Sequence, residues 1–484
     1  MPYGYNGKIL RVDLTSGMVT VEEPGEIVYR TYLGGGGLAS YYLLRELKPG
    51  IDPLSADNIL VFASSVISGV PIAGMVRYTV AAKSPLTGAY GEAEAGGFWG
   101  PELKFSGFDA VIITGKAAKP SYLWINDGKV EIRSAEKIWG LETGPAQEMI
   151  RDELKEKRAR VALIGPAGEN LVRYACVVNE LKHINGRTGM GAVMGSKNLK
   201  AVAVRGTKKM DIHDPEKLRE LSKNLTELIG QHGPSKMYRK LGTPQFVMSL
   251  NTQGILPTHN FRTGFFEGAE KISGERMTET ILKREEGCYA CSVRCKRVVE
   301  VSSGPYATSG NYGGPEYETL SSLGSLLCID DLAAIAKGHE LCNRYALDTI
   351  STGVAIGFAM ECFEKGILTR ADTEGIEFTF GNPDAMIKGI EWIAFRKPGL
   401  GNLLADGVKA AAAKLGQGSE RFSLHIKGQE LPMHDPRGKI GQGLSFAVSP
   451  TGADHLRAPH DTPFQAPGPH LDRIAPLGIL EPVP

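Results

Sequence analysis

The run LKAVAVRGTKKMDIHDPEKLRELSKNLTELIGQHG (199–233) contains the change of texture that decides the fold. Its first eight residues, rich in valine and alanine, read as a strand. From Asp214 the pattern turns helical, with an Asp-Pro start, apolar residues at helical spacing and a stop at Gly233. Towards the N-terminus the strand texture persists. KILRVDLTSGMVTVEE (8–23) has two alternating runs around Ser16-Gly17, a hairpin signal. NILVFASS (58–65), VRYTVAAK (76–83), FDAVIITGK (108–116), SYLWINDGKVEIRSA (121–135) and ARVALIGPAG (159–168) continue it, and 144–158 is the clearest helix among them. Towards the C-terminus, 330–348, 351–366, 384–396 and 403–415 carry helical spacing. The expected fold class is α+β. A β-rich domain (1–210) precedes a helical domain (211–418), and 419–484 begins a second helical domain. The apolar ending PLGILEPVP reads as that of an incomplete domain.

Composition narrows the function classes. The 484 residues carry 55 Lys and Arg against 54 Asp and Glu, a formal charge of +1, so no bulk field favours a nucleic-acid partner. The N-terminus places Lys8, Arg11 and Asp13 where a signal peptide needs an apolar run, and no stretch is long and apolar enough for a membrane span. Seven cysteines, an odd number, argue against a secreted disulfide framework and for a cytoplasmic location.

Cys288-Tyr-Ala-Cys291-Ser-Val-Arg-Cys295 is the strongest local signal. C-x2-C-x3-C brings three thiolates within reach of one metal centre, and thiolates select zinc or iron–sulfur. Zinc sites usually join two C/H pairs, and no second pair is visible, so a [4Fe–4S] cluster with a remote fourth ligand suits the spacing better than zinc or inert buried thiols. Arg294, Lys296 and Arg297 would offset thiolate charge. Cys176, Cys328, Cys342 and Cys362 read equally as small buried hydrophobes.

Glycine is the compositional outlier, at 60 residues. Gly34–Gly37, after a short strand and ahead of the helical YYLLREL (41–47), AGGFWG (95–100) with Gly96 and Gly97, and NGRTGMG (185–191) with Gly189 could each present backbone N–H groups to an anion. None has the spacing of a dinucleotide fold or a P-loop. Three such loops, with Arg77 and Arg187 nearby, suggest a phosphate-bearing cofactor cradled by backbone.

Taken together, VRYTVAAKSPLTG (76–88), GGFWGPELKFSGFDAVIITGKA (96–117), NGRTGMGAVMGSKNLKAV (185–202), GCYACSVRC (287–295), GGPEYET (313–319), CNRYALDTISTG (342–353) and MHDPRG (433–438) resemble the aldehyde ferredoxin oxidoreductase family across the whole chain. The resemblance implies an N-terminal β-rich base for a tungsten (or molybdenum) bis-pyranopterin, covered by two mostly helical domains. It implies a [4Fe–4S] cluster on Cys288, Cys291 and Cys295, with the fourth cysteine and a second pterin motif expected beyond residue 484, and Mg2+ bridging the pterin phosphates. Asn343, Leu347 and Asp348 fall on the family's first pterin motif, with Asn343 in place of Asp and Ala346 in place of Gly, and Arg77 falls on the arginine between pterin and cluster. Gly96, Gly97, Arg187 and Gly189 complete the expected cofactor contacts. Glu318 falls on the active-site glutamate, read as general base, and His455 on the active-site histidine; His434 and His460 lie close to it in sequence. Pro315 reads as a first helical position, which puts Glu316 in the first turn with a helix-dipole role, and His339 reads as a core histidine.

The implied activity is oxidation of aldehydes to carboxylic acids, with electrons leaving to ferredoxin or a ferredoxin-like subunit and a homodimer as the expected assembly. A benzoyl-CoA reductase-type subunit is the alternative within the family. A non-catalytic iron–sulfur or zinc scaffold is the alternative outside it.

Overall fold

A computed structural model describes residues 3–482. Residues 3–206 build two six-stranded sheets. One runs, edge to edge, Met18–Glu22, Ile9–Asp13, Ala110–Thr114, Leu60–Ser64, Tyr78–Lys83 and Tyr90–Ala95. The other runs His183–Asn185, Val177–Asn179, Arg160–Leu163, Leu199–Arg205, Ser121–Asn126 and Lys129–Ser134. Both expected hairpins form: Ile9–Asp13 pairs antiparallel with Met18–Glu22, and Ser121–Asn126 with Lys129–Ser134. The second turns on Asp127 (φ 46°) and Gly128 (φ 90°), the pair of left-handed residues that matches strand twist.

The sheets share a core in which Leu10, Phe62 and Val80 of the first meet Ile125, Val202 and Val204 of the second. Trp99 stands between them, fully buried, and donates its indole N–H to the Val202 carbonyl at 2.9 Å. The helix Gly35–Glu46 covers the outer face of the first sheet and Thr143–Leu154 that of the second. Three lysines of this region, Lys104, Lys197 and Lys200, are fully buried. Lys197 stays satisfied by donating to the carbonyls of Ala56, Asn58 and Gly115, while Lys104 and Lys200 pair with Asp109 and Glu169.

After residue 214 helices dominate, as expected. Pro215–Gln231, Leu332–Tyr345, Thr349–Glu364 and Pro383–Ala394 lie close to the predicted spans. The 403–415 helix is two, Leu400–Leu404 and Val408–Leu415, separated at Gly407 with φ 86°. Every residue from Ile350 to Cys362 is buried, which makes Thr349–Glu364 the central helix of this half; the short helix Tyr317–Leu323 packs along it.

Three local expectations are corrected. The segment before Gly34 is a helix (Glu26–Tyr32) rather than a strand, and Gly35–Gly37 form the first turn of the next helix instead of an open loop. A Cβ on Gly36 would lie 2.5 Å from the Glu92 carboxylate, so the protein's own anion already occupies that turn. The strands Tyr90–Ala95, Val177–Asn179 and His183–Asn185 were not anticipated: the first carries two glutamates, and the others are three residues long. Finally, Pro315 precedes the helix and Glu316 is its N-cap, which moves Glu318 into the first turn.

Candidate active site

Glu318 projects from the first turn of Tyr317–Leu323. Its Oε2 accepts the Met433 N–H at 2.9 Å, and the neighbouring Tyr317 hydroxyl donates to the Met433 carbonyl at 2.5 Å. These bonds fasten the MHDPRG segment to the helix and bring His434 Nε2 to 3.1 Å from Glu318 Oε1, with His455 Nε2 3.7 Å from the same oxygen. Burial alone would raise the Glu318 pKa, but His455, His434 and the Met433 amide together bring it down to about 2. His434 is the converse: burial pushes it down to about 3, despite the attraction of Glu318. Lys439 Nζ lies 2.8 Å from His434 Nδ1 and 3.4 Å from His460 Nδ1.

This group lines a cavity of about 950 Å³. Arg187, Asn343, Leu347 and Asp348 also line it, as do Lys296, Glu316 and His339. Arg187 is committed to protein partners: it donates to the Ala453 carbonyl at 2.7 Å, to the Glu430 carbonyl at 2.6 Å and to Asp348 at 3.3 Å. Asp348 also caps the central helix through the Ile350 N–H. The Asn343 amide donates to the Tyr312 carbonyl at 2.8 Å. His339 is buried as expected but faces the cavity, and burial lowers its pKa to about 4.

The cysteines occupy the tip of a two-stranded hairpin, Leu282–Glu286 with Lys296–Val299. Left-handed backbone at Ala290 and Arg294 curls the tip. Cys288, Cys291 and Cys295 are all free and half-buried. Burial, with Glu316 and the other two thiols, pushes Cys295 up to about 11 against the pull of Lys296. Gly96 makes room for this loop, since a Cβ there would lie 2.8 Å from Cys288 Sγ, and the Gly97 carbonyl accepts the Tyr289 N–H. Arg77 is more than half exposed, 3.9 Å from Glu94. Of the three basic residues expected to offset thiolate charge, Lys296 does so: it is bonded to Glu316 at 2.9 Å and lies on the cavity wall between it and the cysteine loop. Arg297 instead donates to the carbonyls of Arg239, Lys240 and Arg294, and Arg294 to that of Glu285, so both brace backbone. Gly189 is not on the cavity wall; it caps Met190–Ser196, and a Cβ would lie 2.0 Å from the Arg173 carbonyl oxygen.

The donor sets fit the expected groups. Three soft thiols on one hairpin tip beside a lysine suit an iron–sulfur cluster. The cavity retains buried polar atoms without partners, among them His455 Nδ1 and His339 Nδ1, as a polar cofactor and substrate require. Sequence reasoning missed Lys439, and it left His434 undecided. The signal available was the place of Lys439 one residue past MHDPRG.

A three-thiol loop adjoining a carboxylate–imidazole cavity is the arrangement of a metal-dependent oxidoreductase. The family model described as "Aldehyde ferredoxin oxidoreductase, N-terminal domain" matches residues 9–206, and "Aldehyde ferredoxin oxidoreductase, domains 2 & 3" matches 220–477. The chain belongs to the aldehyde ferredoxin oxidoreductase family. It is 42% identical over 459 residues to the tungsten-containing aldehyde ferredoxin oxidoreductase of Pyrococcus horikoshii, covering 94% of this chain and 74% of that one. With the aliphatic sulfonate oxidoreductase, WOR-like subunit, of Pyrococcus furiosus it shares 33% identity over 476 residues, 94% and 75% of the two chains. Among solved structures, the active-site complex BamBC of benzoyl coenzyme A reductase with 1,5-dienoyl-CoA aligns with a TM-score of 0.84 at 29% identity, covering 99% of this chain and 73% of that one. Among the described residues, no helix is long and apolar enough to cross a membrane.

Proposed function

We propose that this protein oxidises aldehydes to carboxylic acids and passes the electrons to ferredoxin or a ferredoxin-like subunit. The observation that carries this reading is Glu318 Oε1, buried, facing two imidazoles, in a cavity that reaches Lys296 at the foot of the cysteine loop. Relatives at 40–42% identity bear the name of that activity. The proposed cofactors are a tungsten or molybdenum bis-pyranopterin with Mg2+ at its phosphates, seated on residues 1–210 and covered by 211–418 and 419–484, and a [4Fe–4S] cluster on Cys288, Cys291 and Cys295. When bound, the metallopterin supplies the two-electron acceptor and the cluster the single-electron exit.

The chain's own residues handle water, protons and charge. A carboxylate near pKa 2 holds a proton poorly at neutral pH, so Glu318 serves better as orienting partner than as the resting base. It faces His455 Nε2 and so holds the hydrogen there, leaving Nδ1, buried and unpartnered, free to take a proton from water as it adds to the aldehyde carbon. Glu318 then stabilises the imidazolium. Arg187 and Asp348 fix the cavity wall, and Arg77, Asn343 and Leu347 with Gly96, Gly97 and Gly189 are the proposed cofactor contacts, Gly189 acting through the helix it caps.

Aldehyde-dependent viologen reduction by the anaerobically purified holoenzyme tests the reading, and turnover with at least one short aliphatic or aromatic aldehyde is expected. A second reading follows from the benzoyl-CoA reductase likeness, which covers nearly the whole chain. Under it, an acyl-CoA arm of the same assay gives turnover while every aldehyde gives none.

A further inference from the structure

Oxidising an aldehyde with water releases two protons along with two electrons, and the protons must leave a buried group. Continuous contacts lead outward from Glu318. Its Oε1 meets His434 Nε2 at 3.1 Å, His434 Nδ1 meets Lys439 Nζ at 2.8 Å, and Lys439 Nζ meets His460 Nδ1 at 3.4 Å. Lys439 is only 2% exposed, whereas His460, also on the cavity wall, is partly open to solvent. A buried lysine whose ammonium faces two imidazoles and no carboxylate within ion-pair distance is poorly explained as a structural ion pair.

We propose that Lys439 is the proton acceptor that drains the Glu318–His455 pair through His434 and hands the proton to His460. The proposal rests on the aldehyde-oxidation reading. The step balances as a double transfer. A proton taken by His455 crosses to Glu318 Oε1. With His434 in the tautomer whose Nδ1–H faces the free amine of Lys439, Glu318 passes it to Nε2 as that hydrogen crosses to the amine, and exchange with water restores the tautomer before the second proton follows. The products are a carboxylate, a neutral His434 of the opposite tautomer and an ammonium. Lys439 returns to the amine by giving a proton to His460 and water.

The surroundings suit an amine that changes state. Burial pushes Lys439 down to about 8, while Glu318 and, from the 454–461 segment, Asp461 pull it upward. His434, His455 and His460 face the same region, and Asp461 is engaged by the Gly441 and Gln442 N–H groups at 2.6 and 3.0 Å. Asp435 is bound by Arg437, and Arg457 by Glu92 and Asp454, so neither pair competes for Lys439.

Lys439→Arg separates relay from scaffold, because arginine keeps charge and donors but cannot give up its proton near neutrality. In holoenzyme of wild-type cluster and metal content, the expected result is a kcat at least about tenfold below wild type with KM for aldehyde little changed. The kcat limb near pH 8 should also disappear. Lys439→Ala should recover with added methylamine or ethylamine, and faster with the more basic amine. Wild-type turnover in the arginine variant, or an alanine variant indifferent to amines, overturns the proposal. If the alanine variant fails to take up its cluster, the arginine variant decides. If wild type oxidises no aldehyde, the functional reading fails and the relay is judged by 13Cε-lysine NMR. A resonance absent from Lys439→Arg should then titrate near 8 and move in His434→Gln; titration above 10 overturns it.

Discussion

At the scale of single residues, the site depends on one oxygen atom. Glu318 Oε1 faces His434 and His455, while Oε2 is fixed by a backbone amide. Glu318→Gln preserves shape and removes the charge, so aldehyde-dependent turnover is expected to fall by roughly 10²–10⁴. The absorbance and EPR of the proposed cluster should stay at wild-type level, and a loss below tenfold would show that the carboxylate charge is dispensable. Glu318 was legible in GGPEYET, and His455 only through the family resemblance. His434 was not, since three histidines between 434 and 460 are equivalent in one dimension. The loop's return path seats His434 on Tyr317 and against Glu318, which no local spacing encodes.

At the scale of elements, the helix bearing Glu318 is positioned by contact with the central helix. A Cβ on Gly353 would lie 2.4 Å from the Ser322 carbonyl oxygen. Gly353→Ala therefore forces the two helices apart. It is expected to cost about 1–3 kcal/mol in denaturant unfolding and to lower turnover by displacing Glu318. Asp331→Ala is the control: Asp331 caps Leu332–Tyr345 through the Ala333 and Ala334 N–H groups, so its loss should cost about 1 kcal/mol and leave turnover unchanged. Equal turnover in both variants would uncouple helix spacing from catalysis. Long periodic helices and alternating strands were legible because burial of one face imposes period on sequence. The glycine turn at Gly35–Gly37 was not, because glycine is permitted in loops and tight helices alike, and only the neighbours Glu92 and Tyr32 decide.

At the scale of the molecule, four histidines are kept neutral by burial. The pKa values of His183 and His434 fall to about 3, and those of His339 and His460 to about 4. Unfolded histidines bind protons near pH 6.5, so the unfolded chain takes up more protons throughout the interval below that value. The stabilisation is thus complete above about pH 6.5 and drains away as pH falls towards the folded values. Glu318, also lowered, acts in the same direction below its ordinary range. Unfolding free energy is expected to drop between pH 7 and pH 5 by on the order of 2 kcal/mol for each histidine that stays buried. Denaturant curves at the two pH values check this; coincident midpoints would mean that water reaches these rings.

The sequence by itself determined the class of fold, the order of a β-rich half and a helical half, the three-thiol loop and the membership of the family, because periodicity and short motifs are local properties of the chain. Only the tertiary structure decided that Arg187 braces backbone, that Arg297 does the same rather than face the thiols, and that Lys439 joins His434 and His460. Such partners lie tens to hundreds of residues apart, and whether a buried charge meets a carbonyl, a thiol or an imidazole depends on how the elements pack.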